Sequence, residues 1–95
     1  MKSPHIYILT NKNNTTLYIG VTSNLKERIT QHKEKKYQKS FSAQYNLDKL
    51  VYFESIPTMI EAIAREKQLK AGSRAKKEAL INALNPKWND LFELL

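Results

Sequence analysis

Two phenols stand near the start of the chain, at Tyr7 and Tyr18, each inside a short apolar run. The runs are His5-Ile6-Tyr7-Ile8-Leu9-Thr10 and Thr16-Leu17-Tyr18-Ile19-Gly20-Val21, separated by the polar stretch Asn11-Lys12-Asn13-Asn14-Thr15. In a strongly basic chain, paired phenols suit proton handling or phosphate contact. Arg28 and His32 follow, one helical turn apart, so both can touch one ligand. A carboxylate completes the set. Met59, Ala62, Ile63 and Leu69 outline an apolar arc at helical spacing, and Glu66 falls inside that arc. A charge moved toward a core is costly unless it is paired or bound to a metal. Glu66 is therefore either a metal ligand or a structural group, in a salt bridge to an arginine or lysine or snorkelling to the rim. Glu61 and Arg65 fall on the outer face of the same helix.

The elements that must position these groups can be read from periodicity and caps. The two runs predict strands joined as a hairpin. Period-two alternation puts Ile6 and Ile8 on one face, and likewise Leu17, Ile19 and Val21. Direct pairing of Tyr7 with Tyr18 would set the phenols side by side. Asn24, with Glu27 three residues on, caps a first helix through Leu25, Arg28, Ile29 and His32 to Lys35 or Lys36. Residues 33 to 42 are dense in charge, with Tyr37 and Phe41 among the lysines, and read as a frayed helix end and mobile loop. Lys49 to Ser55 predicts a third strand, and the apolar run Leu50-Val51-Tyr52-Phe53 suits a central strand covered on both faces. Thr58 and Glu61 form a capping box for a second helix to Ala71, with Gly72 at its C′ position. Ser73 caps a third helix through Leu84, ended by Asn85-Pro86. The tail from Lys87 to Leu91 brings Trp88 and leucines back onto the domain. The order β-β-α-β-α-α predicts an α+β fold, a small three-stranded, mostly antiparallel sheet flanked by helices.

Ninety-five residues make one domain, taken as 1–95. Sixteen Lys and Arg against nine Asp and Glu give a net charge of +7, which favours a polyanion, nucleic acid before membrane. There is no cysteine, hence no disulfide framework and no thiolate metal site. No apolar run approaches the roughly 20 residues needed to span a bilayer, and the N-terminus lacks the pattern of a secretory signal. The expectation is a cytoplasmic protein without a membrane partner.

The ordered set of residues resembles the GIY-YIG nuclease superfamily. The likeness runs from His5-Ile6-Tyr7 and Tyr18-Ile19-Gly20 through Arg28, His32 and Glu66 to Asn89, over nearly the whole chain. It is closest to the small single-domain bacterial proteins of the YhbQ type, which end in segments much like Ala64-Arg65-Glu66-Lys67-Gln68-Leu69-Lys70 and Asn85-Pro86-Lys87-Trp88. Two positions depart from the pattern. His5 stands where the signature has glycine, and Val21 stands where many relatives carry a lysine or another polar catalytic group.

The resemblance implies a metal-dependent endonuclease that hydrolyses phosphodiester bonds in DNA, structure-directed and acting in repair or recombination. The alternative is a non-catalytic nucleic-acid-binding module of the same fold. RNA is the second candidate substrate. The resemblance assigns Tyr7 as general base, Tyr18 to the phosphate and nucleophile site, Arg28 to charge on the phosphate, and Glu66 to one Mg²⁺ or Mn²⁺. His32 matches a histidine or tyrosine position at the site, and Asn89 a polar residue near it. Lys33, Lys36, Lys67, Lys70 and Arg74, with Asn89, are the expected nucleic-acid contacts, and Lys76 and Lys77 extend that basic surface. A single carboxylate suits Mg²⁺, which keeps much of its water shell. A phenol titrates near 10, so a base role at neutral pH calls for a lowered pKa. Arg28 and the local lysines are the groups that could lower it.

Overall fold

A computed structural model describes residues 3–35 and 44–95. Lys36, Tyr37, Lys39, Phe41 and the expected loop around them lie outside the described residues. Strands β1 (His5–Thr10) and β2 (Leu17–Thr22) form the hairpin. Its loop is organised by Asn11, whose Oδ1 accepts the N–H groups of Thr15 at 2.8 Å and Thr16 at 3.2 Å. Asn14 takes the left-handed conformation there, with φ 56°, which asparagine tolerates better than most residues. Helix α1 (Leu25–Lys33) starts at Asn24, whose side chain accepts the Glu27 N–H at 3.3 Å. It stops earlier than Lys35 or Lys36, because Lys35 turns left-handed at φ 53° and its N–H closes on the His32 carbonyl.

Strand β3 (Lys49–Ser55) leads to α2 (Met59–Ala71), capped by Thr58, and α3 (Arg74–Leu84), capped by Ser73. Gly72 joins the two helices at φ −77° and ψ 161°, an extended conformation and not the left-handed C′ turn expected of it. A 3₁₀ turn at Leu91–Leu94 follows, capped by Asp90.

The sheet is antiparallel in the order β2-β1-β3, so β1 is central and β3 lies at an edge. The expectation of a central third strand is corrected, and its apolar run has another cause. A bulge offsets Leu50 from Tyr52, since Leu9 pairs with Leu50 while Ile8 pairs with Tyr52. Val51 and Tyr52 then join one core while Leu50 and Phe53 join the other. Helices cover both faces of this edge strand, and it is that cover which its composition reports.

One core holds Ile6, Ile8, Ile19 and Val51 against Ala62 and Leu69 of α2 and Ile81 of α3, with Trp88 packed on it. The other holds Tyr7, Leu9 and Leu50 against Leu25 and Ile29 of α1, closed by Leu91, Phe92 and Leu95. Asn85, buried, ties the ends together. Its amide donates to the Val51 carbonyl at 3.1 Å and the Asn89 carbonyl at 2.8 Å, and its Oδ1 accepts the Asn89 N–H at 3.1 Å. No helix among the described residues is long and apolar enough to cross a membrane.

Candidate active site

Tyr7 is the centre of the site, and β2 makes room for it at one residue. Tyr7 faces Gly20 across the hairpin, whereas Tyr18 faces Leu9. The phenols are therefore diagonal neighbours on one face, not the direct pair considered from the sequence. Their ring centroids are 6.4 Å apart. A Cβ built on Gly20 would fall 2.3 Å from both Cζ and the phenolic oxygen of Tyr7. The ring thus lies over the one position of β2 that has no side chain. Gly20→Ala is expected to cost about 2 kcal/mol by overpacking and to push the phenol off its seat. A denaturant midpoint equal to wild type would contradict that packing.

His32 closes on both rings from α1. Its centroid is 5.7 Å from that of Tyr7 and 5.7 Å from that of Tyr18, edge-on in each case. Its Nε2 lies 3.0 Å from the Tyr7 oxygen. With the imidazole proton on Nδ1, the phenol donates to Nε2. The Arg28 side chain also hydrogen-bonds Tyr7. Arg28 is held from its other side, Nη1 donating to Gln31 Oε1 at 3.2 Å. Tyr7, Tyr18, Arg28 and His32 thus converge, as the sequence order suggested.

Burial dominates the proton chemistry. It pushes the Tyr7 phenol up to about 12, against the opposing pull of Arg28. The lowered phenol pKa that a base role called for is not found, because desolvation of the phenolate outweighs the guanidinium. Burial and the Arg28 charge push His32 down to about 4. At neutral pH the pair is therefore a phenol against a neutral imidazole.

That shift makes stability depend on pH. The folded pKa of His32 lies below the unfolded value of 6.5. Above pH 6.5 its contribution is complete. As pH falls from 6.5 toward about 4, the unfolded chain takes a proton that the folded chain refuses. Roughly 3 kcal/mol is lost over that window. Thermal melts of wild type and His32→Gln at pH 7 and pH 4.5 measure it, with the larger drop expected in wild type. Equal drops would contradict the assignment.

Glu66 stands on α2, which packs against β2 and β1. Its side chain is 16% exposed and its carboxylate lies 3.5 Å from Lys70 Nζ, one turn on. Its negative charge also acts on Tyr7, raising the phenol pKa. The carboxylate thus sits in an ion pair with a half-exposed lysine, within electrostatic reach of the Tyr7 phenol. Among the described residues no group of three or more His, Cys, Asp or Glu is arranged to hold a metal. The donor set is one carboxylate, which fits a hydrated divalent cation that takes its remaining ligands from water and phosphate.

The departures from the signature have structural accounts. Val21 pairs with Ile6 and packs into the α2-side core, on the face away from Tyr7. His5 Nδ1–H donates to the Ser3 carbonyl at 2.9 Å at the start of the strand, and its ring centroid lies 6.2 Å from that of Phe53.

The expected nucleic-acid contacts divide. Lys33 is committed to Asp90 and to the Asp48 carbonyl, and lies over the Phe92 ring. Arg74 bonds Glu78 and the carbonyls of Asn14 and Thr15, so it fastens the hairpin loop to α3. Both cations thus hold partners within the fold. Lys70 pairs with Glu66. Lys67 is exposed on α2. Asn89 has its backbone clamped by Asn85. Arg65, assigned to the outer face, instead bonds Glu54 at 3.0 and 3.3 Å and sits over a network with Tyr52. Ile63, assigned to the apolar arc, is 39% exposed. Gln31 and Asn85 were not visible as clamping residues from the sequence, and Gly20, though part of Tyr18-Ile19-Gly20, gave no sign there of the seat it makes for Tyr7. The one available signal was that Asn85 is a polar residue following a helical apolar stripe.

A profile of the GIY-YIG catalytic domain matches residues 3–79. The chain is 35% identical to a UPF0213 protein of Syntrophus aciditrophicus, over 85% of this chain and 92% of that one. It is 32% identical to a UPF0213 protein of Natronomonas pharaonis, over 81% and 88%. The NMR structure of a UPF0213 protein from Bacillus halodurans superimposes with a TM-score of 0.59 at 27% identity, covering 97% of this chain and 96% of that one.

Proposed function

The chain belongs to the GIY-YIG catalytic-domain family, and from that membership we propose that it is a divalent-metal-dependent endonuclease hydrolysing phosphodiester bonds in DNA. The observation that supports this reading most strongly is the Tyr7–His32 contact at 3.0 Å with Arg28 bonded to the same phenol. That arrangement suits a relay better than a preformed phenolate.

In the relay, water attacks phosphorus and gives its proton to the Tyr7 oxygen as the Tyr7 proton passes to His32 Nε2. The bond from phosphorus to the leaving oxygen breaks, and that oxygen takes a proton from solvent. Arg28 stabilises the charge on the non-bridging oxygens. Tyr18, beside Tyr7, donates a hydrogen bond to the phosphate. The negative phosphate offsets the Arg28 charge at His32 and makes its imidazole more basic in the complex. Glu66 would hold the divalent cation, which when bound supplies Lewis-acid stabilisation of charge at the phosphate and the leaving oxygen.

A pH–rate profile of single-turnover oligonucleotide cleavage tests the reading. A relay through a neutral phenol and a neutral imidazole gives a rate that is nearly level from pH 7 to pH 9. A phenolate base with a pKa near 12 instead gives a rise of about tenfold per pH unit, and that result would replace the relay.

A further inference from the structure

The basic surface of α2 and α3 divides by partner. Lys70 is paired with Glu66, and Arg74 with Glu78. Lys76 and Lys77 have no ion-pair partner among the described residues. They also sit in the first turn of α3, which carries no acidic residue. Cations there oppose the helix dipole, so helix stability does not explain their placement. Local rules broken without structural gain are a mark of function.

These lysines line a cleft of about 400 Å³ between α2 and α3, a volume within the usual range for ligand sites. Leu69, Ala79 and Leu80 give it an apolar floor, and Arg65 and Gln68 form its polar wall. The wall is pre-set. Arg65 is fixed on Glu54 and donates to Gln68 Oε1 at 2.8 Å, so the two polar side chains hold each other in place. A cationic rim over an apolar floor calls for a ligand with an anionic group beside an apolar, planar body.

We propose that this cleft binds one unpaired nucleotide of a nucleic-acid strand, its phosphate on Lys76 and Lys77 and its base on Leu69 and Leu80. The inference rests on the nucleic-acid reading above for the identity of the strand. A duplex presents its backbone and would leave the apolar floor uncovered, so the site selects single-stranded segments.

The test is fluorescence anisotropy of a labelled single strand and of a duplex of equal length, across a salt series. Lys76→Gln/Lys77→Gln is expected to weaken single-strand binding about tenfold at low salt. It should also make the log–log salt slope shallower by about 1.4, for two contacts at about 0.7 each. Ala79→Leu, which fills the cleft from an exposed position, should weaken single-strand binding and leave duplex binding unchanged. Lys12→Gln/Lys87→Gln removes the same charge elsewhere and should have a smaller effect on both. Equal losses in the two lysine pairs would reduce the effect to net charge and overturn the site. Single-strand binding by Ala79→Leu at wild-type strength would overturn it too. Cleavage at saturating DNA separates this proposal from the hydrolytic one. Intact cleavage with unchanged binding in the cleft variants sinks the cleft alone. Cleft-dependent binding without cleavage by any sample sinks the hydrolytic reading alone.

Discussion

Tyr7→Phe is expected to lower single-turnover cleavage by about a thousandfold, the middle of the range for loss of a positioned proton-transfer group. The substitution removes one oxygen and keeps the ring over Gly20, so packing against Leu9, Leu25 and Ile29 persists. His32 Nε2 loses its partner at 3.0 Å. Two consequences follow. The alkaline loss of stability that comes from a phenol held at about 12 disappears: it is absent below pH 10 and develops between pH 10 and about 12 in wild type. DNA affinity is expected to change little, because Arg28 and Tyr18, the proposed phosphate contacts, are untouched. Cleavage within a few-fold of wild type by a folded Tyr7→Phe protein would remove Tyr7 from the chemistry.

Glu66→Gln is expected to abolish metal-dependent cleavage while leaving the fold and most DNA affinity. The structure sharpens the stability side of this test. The carboxylate has one described ion-pair partner, Lys70, one helical turn away and 53% exposed. Pairs of that kind are worth about 0.3–0.5 kcal/mol, and a buried charge is removed at the same time. The melting temperature should therefore move little in either direction. A residue whose role is structural would show the opposite pattern: full activity in the folded fraction and a lowered melting temperature. Metal titrations followed by the melting temperature give a readout separate from catalysis, with a shift expected for wild type and a smaller one for Glu66→Gln.

Local order was legible in the sequence because local rules set it. Asn24, Thr58 and Ser73 were each readable as caps, and each side chain accepts the N–H three residues on. Alternation in the hairpin put Tyr7 and Tyr18 on one face, and they share it. What the residues did not disclose depends on contacts between elements distant in the chain. Register is one case. Hairpin pairing is decided by the geometry of the Asn11–Thr16 loop, so the pairing of Tyr7 with Gly20 and the seat it provides were not visible. The edge position of β3 is another, because cover on both faces gives the same composition as central hydrogen bonding. Lys33 and Arg74 read as free cations until the fold brought Asp90 to one and the hairpin loop to the other. Arg65 read as solvated because Glu54, its partner, sits eleven residues earlier on a strand whose place was unknown. The candidate site was legible as a set of residue types, and its electrostatics were not. Burial of Tyr7 and His32 reverses the expected direction of the phenol shift, and burial is a property of the packed whole.

Metal-dependent phosphodiester hydrolysis by this chain is open to a direct assay. End-labelled branched, flapped, duplex and single-stranded DNA are incubated with the purified chain in Mg²⁺ or Mn²⁺ and in chelator, with Tyr7→Phe purified in parallel. Strand cleavage is expected from wild type, is expected to require the cation, and is expected to be absent in the Tyr7→Phe preparation. Binding of the same substrates with every strand left intact in both cations would contradict it and identify the chain as a non-catalytic nucleic-acid-binding module.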